Sequence, residues 1–167
     1  PPGDLRVPLL PAGPGTVIDV DRNASIELTG ILPIPIPAGV TIRSNRRGTN
    51  LGAELFTADP NDKDAFHIWG HDVRITGLRL RGSSGSTDEG YTTGTFPKLQ
   101  YHPFPEPQGI WIHENPTTRS IIIDHNDMSD FRGAPIYVTE EPELTVCVSR
   151  TSRPHLSRVA RNFIHRN

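Results

Sequence analysis

Apolar positions along the chain recur in short bursts with a period of two. In Gln108–Phe131, QGIWIHENPTTRSIIIDHNDMSDF, Ile110 and Ile112 alternate with Trp111 and His113, and Ile121 and Ile123 alternate with Ile122 and Asp124. Such alternation sends successive side chains to opposite faces of an extended backbone. The pattern predicts strands over Gly109–His113 and Ser120–Asp124, a turn over Glu114–Thr118, and a third short apolar segment at Met128. Three short strands joined by tight turns make one coil of a parallel β-helix.

The coil repeats. Val159–Ile164 lies on Ile123–Met128 with Asn162 over Asn126, a spacing of 36 residues. Val73–Leu80 is an upstream copy, with Ile75 over Ile123 and Leu80 over Met128 at a spacing of 48, the excess coming from an insertion over residues 83–107. Repeats of this size cannot close a core alone and must stack. Further strands are predicted at Thr16–Val20, Ala24–Thr29 and Gly39–Ser44, a loop at Asn45–Gly52, and the start of another coil at Phe66–Trp69. No stretch sustains a 3.6-residue apolar period, and Pro33, Pro35 and Pro37 break the apolar run Ile31–Val40, so no membrane span is expected. The expectation is an all-β solenoid of about four coils over residues 16–167, preceded by a Pro/Gly-rich lead-in, Pro1–Gly15, read as extended chain or linker. The C-terminal Ile164-His165-Arg166-Asn167 carries no polar cap, which predicts stacking on a further β-helix segment or chain.

Two runs add a family resemblance. Ser120–Ser129, SIIIDHNDMS, resembles the strand–turn segment of the pectate lyase superfamily, and Ile36–Arg43 followed by Arg47-Gly48-Thr49-Asn50 is similar to the opening coil of many bacterial right-handed β-helix proteins. The resemblance spans roughly residues 16–167 and implies a right-handed parallel β-helix, a polysaccharide substrate and a secreted or cell-surface location. Where the calcium-dependent members place a ligand Asp before the first strand, this chain has Gln108-Gly109. No cofactor is therefore expected, with calcium left open but without a recognisable ligand set. Asp59–Asp64 looks like a calcium loop but lacks its Gly and distal Glu.

Composition changes this picture little. Apolar residues at 34% and aromatics at 7% are thin for a globule but enough for a narrow solenoid core, and 17 Pro with 15 Gly favour turns over helices. The single Cys147 excludes an internal disulfide and a Cys-based zinc site, leaving it to be read as a small buried hydrophobe. A net charge of −2 gives no general pull toward nucleic acid or membrane. The arginines at 150, 153, 158, 161 and 166, with no acid among residues 146–167, read as solvated turn residues.

Comparison across coils locates candidate chemistry. With Phe66, Ile110 and Ile136 equivalent and inward, as are Ile68, Ile112 and Val138, the outward positions between them are His67, Trp111 and Tyr137. A second outward column runs Trp69, His113, Thr139. Flat rings with polar edges suit the faces of sugar rings, so His67, Trp69 and Trp111 are expected to bind a polysaccharide. The insertion returns beside them with Lys98, Tyr101 and His102 as further binding residues. A lyase would use His113 as base, Tyr137 as acid and Arg132 or Lys98 to neutralise a uronate carboxylate. A hydrolase would instead need two carboxylates, drawn from Glu114, Glu140, Asp88, Glu89 and Glu106. A non-catalytic carbohydrate-binding or adhesin-like module and a structural segment of a larger surface assembly stay open beside both. Asp124-His125-Asn126 is read as structural, with Asn126 and Asn162 forming an asparagine ladder, His125 a hydrogen-bonded turn residue and Asp124 its partner or a surface acid.

Overall fold

In the computed structural model, residues 4–46, 49–59, 65–83, 109–114, 118–131, 135–140 and 158–165 are described. They hold one helical turn, α1 (Arg6–Leu9), and fourteen short strands: β1 (Val17–Val20), β2 (Ser25–Glu27), β3 (Ile34–Ile36), β4 (Thr41–Ser44), β5 (Glu54–Phe56), β6 (Phe66–Ile68), β7 (Arg74–Thr76), β8 (Arg79–Arg81), β9 (Ile110–Glu114), β10 (Ile122–Asp124), β11 (Asp127–Ser129), β12 (Ile136–Glu140), β13 (Arg158–Ala160) and β14 (Phe163–His165).

Every pairing is parallel and joins strands of neighbouring repeats. Sheet A runs β1-β4-β7-β10-β13, sheet B runs β2-β5-β8-β11-β14, and sheet C runs β3-β6-β9-β12. Three all-parallel sheets with almost no helix are the architecture of a β-helix solenoid. The registers match the sequence repeats. Ile75 and Val159 flank Ile123 in sheet A, and Leu80 and Ile164 flank Met128 in sheet B. Sheet C sets Phe66 and Ile136 beside Ile110. Ile18, Ile42, Ile75 and Ile123 from sheet A meet Leu55, Leu80 and Met128 from sheet B and Ile34, Phe66, Ile68, Ile110 and Ile112 from sheet C in one buried cluster. Each side chain stacks on its equivalent one strand away, at a spacing of about 4.8 Å. Among the described residues no helix is long and apolar enough to cross a membrane.

Two elements go beyond the sequence reading. The lead-in is not extended throughout: Arg6–Leu9 turns into α1, Asp4 Oδ1 accepts the Arg6 N–H at 2.9 Å, and Leu5 and Leu9, four positions apart on one side of the turn, join the core cluster. Pro8 is tolerated because a first-turn nitrogen has no intrahelical acceptor. The Pro-broken run also holds a strand, β3. The Ile34 N–H donates to Ala65 O at 3.0 Å, so the alternation of the strand turns the Pro35 nitrogen to the side where sheet C has no further strand.

The corner between sheets A and B repeats a tight geometry. Gly52, Gly77, His125 and Arg161 occupy successive left-handed positions, with φ between 56° and 77°. The next residue in two of the coils is asparagine, and the expected ladder is present. Asn126 Oδ1 accepts Leu78 N–H at 3.1 Å and its Nδ2 donates to Ile75 O at 3.0 Å. Asn162 repeats the arrangement one coil on, its Oδ1 accepting the Asn126 N–H at 3.1 Å and its Nδ2 donating to Ile123 O at 3.1 Å. Backbone groups that the two-residue corner leaves unpaired are thus satisfied by side chains.

Candidate functional site

The outward face of sheet C carries the ring cluster. Its register sets Pro35, His67, Trp111 and Tyr137 side by side on β3, β6, β9 and β12. Trp69 follows β6, and His113 lies two residues beyond Trp111 on the same face of β9. Trp111 meets His67 edge-on at 5.1 Å between ring centroids and Tyr137 at 5.8 Å. Trp69 stacks on His113 at 3.5 Å with 8° between the planes, and Trp111 lies 4.4 Å from the same imidazole at 19°. His113 Nε2 is 3.2 Å from His67 Nδ1, so one ring nitrogen donates and the other accepts.

Depth within this cluster is uneven. Trp69 is 41% exposed and Tyr137 37%, while His113 is only 4% exposed between the two indoles. The buried Thr118 hydroxyl lies 2.7 Å from His113 O and 3.1 Å from Trp69 O, tying the ends of the two neighbouring segments together. The face therefore offers two open rings at its ends with a fixed, interlocked centre. Alternation along β9 assigns His113 to this face, but the ring stacking that covers it has no sequence signal.

The expected site residues thus divide. His67, Trp69, Trp111, His113 and Tyr137 come together. Glu114 ends β9 with its backbone beside that of Glu140, and the side chains of both lie outside the described residues, as do Lys98, Tyr101, His102, Arg132, Cys147, residues 60–64 and the carboxylates at 88, 89 and 106. Among the described residues no group of three or more His, Cys, Asp or Glu could hold a metal ion.

A second polar cluster lies at the A–B corner. Asp124 is 2% exposed. Its Oδ2 is 3.0 Å from Arg74 Nη2 and 3.3 Å from His125 Nδ1, and Oδ1 takes a further bond from Arg74 Nε at 3.3 Å. Asp124 is therefore the partner of His125 and is buried. Burial pushes its pKa up, but the Thr76 hydroxyl, the Arg74 guanidinium and His125 outweigh it and hold the carboxyl below the ordinary carboxylate value. A carboxyl with a lower pKa folded than unfolded stabilises the fold above about pH 4, and that contribution disappears as pH falls through the folded value. Asp124→Asn is accordingly expected to flatten the loss of stability below about pH 4, read from urea midpoints at several pH values. Parallel wild-type and variant curves would reject this assignment.

No family model, no curated protein and no solved structure matches the chain.

Proposed function

We propose that this chain is a carbohydrate-active β-helix protein that binds an acidic polysaccharide along the outward face of sheet C. The observation that carries the reading is the continuous ring cluster His67, Trp69, Trp111, His113 and Tyr137, open at Trp69 and Tyr137. Exposed aromatic surface of this extent marks a binding face, and indole and phenol rings match the apolar faces of pyranoses while their N–H and O–H reach sugar hydroxyls. Lys98 and Arg132 are the residues expected to meet a uronate carboxylate. In finer terms, we read the fold as a right-handed β-helix of about four coils in the pectate lyase-like superfamily, secreted or displayed at the cell surface.

Within this reading, binding without catalysis is favoured by the position of His113. Its two faces are covered by indoles and its Nε2 is engaged by His67, which suits a fixed wall better than a base that must reach a substrate proton. The enzymatic form would be a polysaccharide lyase using His113, Tyr137 and Arg132, or a hydrolase using Glu114 and a second carboxylate. Across a panel of acidic and neutral polysaccharides, Trp69→Ala and Trp111→Ala are each expected to weaken binding by about tenfold, equivalent to ~1.4 kcal/mol. Unchanged affinity in the double variant would remove the sheet C face as the binding site. Growth of the ultraviolet absorbance of an unsaturated uronate, lost in His113→Ala, would instead establish the lyase.

A further inference from the structure

The A–B corner carries a feature that an asparagine ladder does not require. In the coils holding Gly52 and Gly77 the left-handed corner position is filled by glycine, whereas His125 (φ 58°) and Arg161 (φ 56°) hold the same position with large side chains. Glycine takes this conformation without steric penalty and L-residues do not. Strained positions that keep a side chain cluster where that side chain has work to do.

Those two side chains meet one coil apart, with Arg161 Nη1 3.4 Å from His125 Nε2. On its other edge, His125 Nδ1 faces the Asp124 carboxylate at 3.3 Å, which fixes the ring with its proton on Nδ1. Asp124 is in turn clamped by Arg74, whose side chain is 45% exposed. The charges on the packed elements are Arg74 on β7 and Asp124 on β10, which pair, Asp127 on β11, which pairs with Arg46 at 3.1 Å, and Arg161 after β13. Arg158 of β13 is also cationic, its side chain lying outside the described residues. Arg161 is exposed and has no carboxylate within salt-bridge distance among the described residues.

We propose that Arg161 and His125 form an oxyanion-binding site at the corner between sheets A and B, which receives a carboxylate, sulfate or phosphate group. Arg161 supplies a planar fork of N–H donors suited to two oxygens, and Arg74 neutralises the Asp124 carboxylate that faces the other edge of His125. With its Nδ1–H committed to Asp124, His125 can meet an oxyanion at Nε2 only as imidazolium. The anion, seated between His125 and Arg161, replaces their direct contact with a charge-assisted hydrogen bond from each. This site lies on a different sheet from the ring cluster and stands whether or not that cluster binds sugar.

The test is isothermal titration of the whole chain with inorganic phosphate and with a galacturonate trimer. Saturable binding is expected for at least one probe. Phosphate alone would identify a free-anion site, and the trimer alone a polymer-borne carboxylate. Arg161→Gln should weaken the binding by tenfold or more, and Arg161→Gly, which also relieves the left-handed strain, should do the same in a chain that folds at least as well. His125→Ala should also weaken the binding, whereas Trp69→Ala should leave it unchanged. Absence of saturable binding for both probes, or affinity unaffected by both Arg161 variants, would overturn the proposal.

Discussion

Asn126→Ala is expected to destabilise the fold by roughly 4 kcal/mol, because it strands two buried backbone groups at once, each costing about 1–3 kcal/mol when left without a partner. The Leu78 N–H and the Ile75 C=O both bond to the Asn126 amide, and both residues are fully buried. Alanine replaces neither bond, and the corner has no slack to let the backbone groups reach water. The side chain also donates to Asn162 Oδ1 at 3.2 Å, so the rung below loses a partner. Asn162 itself is only half-buried, and Asn162→Ala should cost distinctly less. Chemical denaturation checks both, with the midpoint falling while the slope stays constant. A loss under about 1 kcal/mol for Asn126→Ala would mean that water takes over both bonds.

Gly77→Ala should be nearly as damaging, by about 3 kcal/mol, from two sources. At φ 72° an L-residue is strained by about 1–2 kcal/mol. A Cβ there would also run into the Ser44 carbonyl oxygen, a backbone atom that cannot move without disturbing sheet A, and overpacking of this kind costs about 1–3 kcal/mol. The contrast with the same corner position one coil on is the decisive control. His125 already carries a Cβ at φ 58°, so His125→Gly relieves strain, at the loss of one exposed side chain, and is expected to leave stability within about 1 kcal/mol of wild type. A gain from His125→Gly as large as the loss from Gly77→Ala would show that the left-handed conformation, and not the close approach to Ser44, dominates at Gly77.

Much of the framework is legible in the residues because a solenoid writes each core position several times. Ile75, Ile123 and Val159 occupy one column, and alternation alone separates Ile110 and Ile112 from Trp111 and His113. What repetition does not write is harder to read. β3 hides behind Pro35, whose missing donor is harmless only because it faces away from β6. β5 has a single inward residue, Leu55, in a stretch that otherwise looks like loop. α1 is one turn long, too short for any period to register. At the ring cluster, alternation gives the face of His113 but not its depth, since Trp69 and Trp111 close over it through side-chain torsions that spacing does not encode. The Asp124–Arg74 clamp is invisible for the same reason: its partners are 50 residues apart and one strand over, and only the fold brings them together.

The three corners of the coil differ in how much chain they hold. Between sheets A and B the last three connections hold only Gly77-Leu78, His125-Asn126 and Arg161-Asn162, tied by the asparagine rungs. Between sheets B and C the path from Arg81 to Ile110 is far longer than that from Ser129 to Ile136, yet Arg81 stays beside Ser129 and Ile110 stays beside Phe66. Strand pairing is therefore indifferent to what that corner carries. It is the place where foreign sequence can be grafted, or a lineage can diversify, without the rest of the coil having to adjust.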